Sequence, residues 1–270
     1  MRRGIGALSL GLALVAALGG AANGAGRKAR AYRDMTESGR QAFVVERARR
    51  IGGELCGDGR NLDVSADLAA AVRAQLDALV SERRTGDRTV SAILARGTRN
   101  AQTINAAFRS ANLPAALGLA LAMSESEFGE CPTSPAGARG MFQFMPATGA
   151  RFGLDGDGLC DVGRSAAAAA AYHRQLRSAF PGSAAGPLVA ALAYNTGERA
   201  AEAAFGDIAR RDDDAAIGAF WQVALTGSNA AGQPVLSDEG RAYLPRLIAC
   251  AIVVETPGAF GLDSGALSGK

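Results

Sequence analysis

Apolar residues in this chain recur every three or four positions, and clean alternation with period two is scarce. That pattern confines the fold to packed helices with at most a minor β element. Residues 41–55 set Phe43, Val44, Ala48, Ile51 and Leu55 on one stripe. Ser65 reads as the N-cap of a helix carrying Leu68, Val72, Leu76 and Leu79. Val90, Ile93 and Leu94 mark a third segment, and Ile104 and Phe108 a fourth. Pro114 suits the first turn of a helix running to about Phe128. A short helix is expected over 146–152, then a turn-forming stretch, GLDGDGLCDVG, over 153–163. Asp155, Asp157 and Asp161 in that stretch do not match a calcium loop, because the Gly and terminal Glu are out of place. Ser165 is expected to cap the polyalanine helix that ends at Phe180-Pro181-Gly182. PLVAALAYNT reads as a buried helix stopped by Gly197 in a left-handed conformation. Helices over 198–224 and 238–255 follow, with Pro257 as the stop and 263–270 as a flexible tail.

The N-terminus has a charged start (Arg2, Arg3), a short apolar run and a small-residue end, the three parts of a secretory signal peptide. The small-residue rule places cleavage after about residue 24, so 1–24 is expected to be removed and the mature protein to be periplasmic with no membrane span; the alternative is an uncleaved inner-membrane anchor, against which the short, Gly-broken run argues. Loss of the two arginines takes the net charge from +3 to +1. With no basic run, this argues against nucleic-acid binding. Four cysteines, no CxxC pair and a single His argue against zinc; no metal and no cofactor is expected. An even cysteine count in an oxidising compartment favours two disulfides. The pairs expected are Cys131–Cys160, bracing the loop after residue 128, and Cys56–Cys250, tying an early helix to the last.

The stretch with the most chemistry is SESEFGECPTSPAGARGMFQFMPATG, 124–149. On a helix over 114–128, Leu117, Leu121, Glu125 and Phe128 share one face. Glu125 thus continues an apolar stripe, where lost hydration keeps a carboxyl protonated near neutral pH, as a proton donor requires. Glu127 points to the opposite side and reads as a surface charge. The following loop lets backbone approach a ligand, and MFQF adds apolar walls with one amide, Gln143, that donates and accepts. The set suits an uncharged polar ligand such as an acetylated sugar.

ESEF, SPAGARGMFQFMPATG and RFGL together resemble the signature of lytic transglycosylases of the family 23 glycoside hydrolases. ALAYNTGE (191–198) and YLPRLIACAI (243–252), with Phe260-Gly261 after it, resemble two further blocks of that family in the same order. GRSAAAAAAYHRQL and FWQV are similar to the membrane-bound murein transglycosylase D branch. The resemblance implies a lysozyme-like helical catalytic domain over 105–262, preceded by a helical N-terminal region, 25–104, of open role. It implies non-hydrolytic cleavage of the bond between N-acetylmuramic acid and N-acetylglucosamine in peptidoglycan glycan strands. One Glu then acts as acid and as base, and the muramyl 6-hydroxyl closes an anhydro ring. By the same resemblance Glu125 is the acid/base and Ser126 the serine orienting it. Gly140, Met141, Phe142 and Gln143 line the sugar subsites, Tyr194 and Asn195 contact substrate, and Tyr243 stands near the acid. His173, Trp221 and Arg139 read as surface, core and solvated loop. A hydrolytic muramidase, with Asp155, Asp161 or Glu198 as base, and a non-catalytic wall-binding scaffold with a cell-envelope partner are the alternatives.

Overall fold

The structure, a computed structural model of the protein, describes residues 31–56, 62–181, 184–211 and 213–269, the side chains of Cys56 and Asp214 excepted. The expected signal peptide, 1–24, lies outside the described residues. The fold is all-α. Among the described residues there are ten α-helices: α1 (Glu37–Cys56), α2 (Ala66–Leu79), α3 (Val90–Ser110), α4 (Ala115–Ser126), α5 (Pro146–Arg151), α6 (Val162–Ala179), α7 (Gly186–Thr196), α8 (Glu198–Ala209), α9 (Asp214–Thr226) and α10 (Asp238–Glu255). Among the described residues β structure is limited to three isolated bridges, two of them joining Thr133, Arg139 and Phe144 in the loop after α4. None of the described helices is long and apolar enough to cross a membrane.

Capping chemistry sets several helix starts. Ser65 accepts from the Leu68 amide, as expected, and Ser237 and Asp213 do the same for α10 and α9. Ser165 does not cap α6. Asp161 takes that role, accepting from the Arg164 amide at 2.7 Å, and Ser165 lies inside the helix with its hydroxyl on the Asp161 carbonyl. A carboxylate at an N-cap also meets the positive end of the helix dipole, which a serine does not exploit. Gly197 ends α7 at φ +84 and ψ 154, not in the left-handed helical region. That conformation is open essentially to glycine alone, and it turns the chain straight into α8. The two segments read at Val90–Leu94 and Ile104–Phe108 are one helix, α3, and 198–224 divides into α8 and α9.

Helix α4 is the centre of the molecule. Its residues 115–123 are buried on every side, so the single apolar stripe read through Leu117 and Leu121 does not exist there. Small residues at 116, 118, 120 and 122 alternate with larger ones and make room for this. Phe108 of α3 packs where a Cβ at Gly118 would stand, and a Cβ at Gly97 would lie 2.8 Å from the Phe128 ring. Helices α3 and α10 pack along α4, while α1 and α2 pack against α10. The expected boundary at 104/105 therefore falls within α3, and the N-terminal helices share one apolar core with the rest. Of the segment expected to fray, 263–270, the described part, 263–269, is docked. Leu267 donates its amide to Val254, and Asn105 and Arg109 of α3 donate to the carbonyls of Leu267 and Ser268.

The Cys131–Cys160 disulfide is present. The second expected bridge is not: Cys250 is a free, buried thiol. Burial pushes it up to about 12, and the charges that reach it, Arg246, Glu127, Glu125 and Arg84, place it toward the end of α4. His173, expected at the surface, is buried, and burial pushes its imidazole down to about 3, so it is neutral. Trp221 is core, as expected.

Candidate active site

Helix α4 ends where its polar residues begin. Glu127 takes a left-handed conformation at φ +55, and Phe128 follows at φ +58. Two successive non-glycine residues there are strained. Their neighbours hold them: the Phe128 ring is fully buried, Arg96 donates to the Glu127 carbonyl at 3.1 Å, and the Glu127 carboxylate pairs with Arg84. Glu127 is thus a partly buried anchor of the helix end and not the surface charge expected. The reversal leaves Glu125 in the last turn of α4, at the edge of a cleft of about 750 Å³, a size suited to a ligand of several rings.

Helix α10 supplies the acid's partner. The Tyr243 hydroxyl donates to Glu125 Oε1 at 2.8 Å, across 118 residues of sequence. The Glu125 residue keeps some exposure through the cleft, yet burial dominates the surroundings of its carboxyl and lifts it from 4.5 to about 7. The Tyr243 hydrogen bond and the Arg246 charge pull the other way, and Glu239 adds a smaller push upward. Glu125 is therefore largely protonated below neutral pH, the state a proton donor needs.

Tyr194 and Asn195, at the end of α7, line the cleft, as does Gln143. The Tyr194 hydroxyl donates to the Phe142 carbonyl at 3.0 Å. Its ring meets Tyr172 at 5.4 Å and Phe144 at 6.3 Å between centroids, and all three rings face the cleft. Gln143 contributes less than expected. Its Nε2 donates to the carbonyls of Gly140 (2.8 Å) and Pro132 (3.2 Å), which spends both amide donors on the loop and leaves the oxygen for a ligand.

Four residues expected against substrate are elsewhere. Met141 and Phe142 are buried beneath the cleft, at 1% and 0% exposure, because their side chains fill the core between α4 and the loop. Phe142 stacks on Phe108 at 6.3 Å. Gly140 is buried too, at φ +83, and a Cβ there would run into the Leu159 carbonyl; its role is to let the two disulfide-linked segments touch. Ser126 does not touch the acid. Its hydroxyl donates to the Met141 carbonyl at 2.8 Å and accepts from the Gly129 amide, which ties the end of α4 to the loop.

Phe144 is the apolar wall of MFQF that reaches the cleft; the sequence reading missed Tyr172, Glu239 and Arg246, which line it as well. Helix arithmetic had the signal for two of them: 239, 243 and 246 share one face of α10 once Tyr243 is placed near the acid. Tyr172 needs the tertiary contact between α6 and α7. The carboxylates weighed as a base have other roles. Asp161 caps α6, Asp155 pairs with Arg164, and Glu198 pairs with Arg151.

Residues 102–217 match the family model of the Transglycosylase SLT domain. The match supports a lytic transglycosylase family and, with it, a peptidoglycan substrate; it does not reach a particular branch. The matched segment opens inside α3 and closes inside α9, so it holds Glu125, Gln143, Tyr194 and Asn195 but not α10 with Tyr243. No curated relative matches the chain.

Proposed function

We propose that this protein is a lytic transglycosylase that cleaves the β-1,4 bond between N-acetylmuramic acid and N-acetylglucosamine without adding water, with Glu125 as both acid and base. The observation that carries this reading is Glu125 itself: one carboxyl, enclosed, lifted to about 7 and facing a cleft of sugar-strand size. In the first step the Glu125 proton passes to the glycosidic oxygen as the C1–O bond breaks and its electron pair leaves with that oxygen. In the second, the resulting carboxylate takes the proton of the muramyl 6-hydroxyl as O6 bonds to C1. Glu125 ends as it began, so no second carboxylate is required. The rings of Phe144, Tyr172 and Tyr194 suit the apolar faces of sugars, and the Asn195 amide and the Gln143 oxygen suit acetamido and hydroxyl groups. The wall lies beyond the cytoplasm, so the reading carries with it export through the 1–24 segment to the periplasm. The family 23 D-like assignment belongs to the same proposal, on the sequence blocks given above.

One observation favours a hydrolytic variant of the reaction. Glu239 is a second carboxylate lining the cleft, and its charge is felt at Glu125. A base positioned there would activate water. Mass spectrometry of purified sacculi digested by the protein separates the two. Anhydro-muramyl ends that persist in Glu239→Gln support the transglycosylase. Reducing ends, lost in Glu239→Gln, would identify a muramidase. An intact sacculus after prolonged incubation would leave only a binding role.

A further inference from the structure

Arg246 is the one cation among the described residues lining the cleft. It lies one turn beyond Tyr243 on α10, and its guanidinium carbon stands 5.5 Å from the centroid of the Tyr243 ring. The hydroxyl of that ring holds Glu125 Oε1 at 2.8 Å. Guanidinium, phenol and carboxyl thus form one continuous stack. Among the described residues Arg246 makes no ion pair and no hydrogen bond, and its Nε–H is buried without an acceptor. Arg47 and Arg73 also bury an Nε without an acceptor, but their guanidinium ends pair with Glu46 and Glu37, and Arg84, Arg151 and Arg164 each hold a carboxylate. A buried donor left without an acceptor is destabilising, so the fold keeps this cation where its partner is missing in the resting state.

The groups facing Glu125 come from several helices. Arg246, Tyr243 and Glu239 stand on α10, and the hydroxyl of Tyr194 faces it from α7. The buried Cys250 thiol lies behind, and Glu127, at the end of α4 itself, is already neutralised by Arg84. None of these except Arg246 brings an uncompensated positive charge. Resting on the function proposed above, we infer that Arg246 is a positioning residue that acts through Glu125. It is the counter-charge that, with the Tyr243 hydroxyl, holds the Glu125 carboxylate between proton donation and proton recovery. The guanidinium stays protonated throughout and exchanges no atom with substrate. Its contribution is larger when Glu125 is charged than when it is neutral, which is the condition for lowering a barrier.

The test uses the full chain with Arg246→Gln, which removes the charge, and Arg246→Lys, which restores it. Should the Gln protein unfold, Arg246→Met keeps the aliphatic stem on Tyr243 and removes only the charge. Without substrate, carbon-13 NMR of labelled glutamate side chains follows the Glu125 titration. Loss of the charge should raise it by about half a unit or more, and Lys should bring it back. With soluble glycan strands, the Gln variant should lose about 10- to 100-fold in kcat with KM nearly unchanged. The basic limb of its pH profile should move upward, with Lys recovering most of the rate. A folded Gln variant whose Glu125 titrates as in the wild type overturns the inference. So does a loss confined to KM, which would make Arg246 a receptor for a substrate carboxylate. A wild-type protein that leaves strands intact overturns the function proposed above, and the reaction role with it, whatever the NMR shows.

Discussion

Replacing Glu125 by Gln separates the group's catalytic use from its effect on stability, and the two should move in opposite directions. Burial holds the carboxyl at about 7 in the folded chain against 4.5 when solvated. Between those values the folded state binds more protons than the unfolded one, so stability falls as the pH rises through the window and levels off above it. The interval from 4.5 to about 7 spans about 2.5 pH units. At about 1.36 kcal/mol per unit, this amounts to about 3 kcal/mol by pH 8, to order of magnitude. Gln has the same shape, keeps an oxygen for the Tyr243 hydroxyl and carries no charge. Glu125→Gln should therefore be more stable than the wild type by about 3 kcal/mol at pH 8 and nearly equal to it at pH 4. In melting temperature the gain at pH 8 is roughly 6–12 °C. Urea denaturation followed by far-ultraviolet circular dichroism at intervals from pH 4 to 8 measures the difference directly, with equal m-values as the check on two-state behaviour. Release of anhydro-muramyl products from sacculi should vanish in the same variant. Stability curves that run parallel across the whole range would refute the enclosed-acid reasoning. Retained lysis would remove Glu125 from the chemistry.

The remaining predictions concern the scaffold under the cleft. Ser126→Ala breaks the 2.8 Å bond to the Met141 carbonyl and should cost about 1–2 kcal/mol in denaturant unfolding, while KM for glycan strands stays unchanged; a raised KM with full stability would return the serine to substrate contact. Gly140→Ala combines a positive φ with a collision at Leu159 and should lose more than about 2 kcal/mol, read as a fall in melting temperature. Cys131→Ser together with Cys160→Ser opens a link across 29 residues. Stability should drop by about 3–4 kcal/mol, and the wild type treated with reductant should follow the double variant.

The helices were legible in the sequence because each amphipathic one must show its period, and Ser65 and Pro257 punctuated as their side chains require. Helix α4 was harder. A helix buried on all sides carries no stripe, so the face read through Leu117, Leu121 and Glu125 was a coincidence of an apolar run. It pointed to an enclosed Glu125 through an incomplete argument, since what encloses Glu125 is the cleft wall and α10, not a stripe on its own helix. Ser126, Met141 and Phe142 show a related limit. A motif tells which residues a fold needs near its site without telling which face ligand and which face core, and a hydroxyl or an aromatic suits both. The partner of Cys131 was readable because both cysteines flank loops that must touch. That Cys250 has none was not, because its burial depends on how α10 sits against the end of α4.

The value near 7 at Glu125 comes from contributions that pull in opposite directions. In the last turn of α4 a carboxylate meets enclosure and the negative end of a helix dipole, and both favour the protonated acid. From α10 come the Tyr243 hydroxyl and the Arg246 charge, which favour the carboxylate, and Glu239, which adds a smaller push toward the acid. Had enclosure alone set the site, the group would hold its proton too tightly to part with it. Had the Tyr243 hydroxyl and the Arg246 charge alone set it, the group would be ionised and have none to give. A single residue serves as acid and then as base only while the contributions stay close to balance. That balance depends on how closely α4 and α10 pack, and both helices carry small, fully buried residues, such as Ala120 and Ala122 on α4 and Ala249 on α10. Enlarging a buried residue such as Ala249, which does not line the cleft, should therefore move the pH optimum before it unfolds the protein. A titration of Glu125 in Ala249→Val, set against the variant's melting temperature, measures whether the seam controls the chemistry.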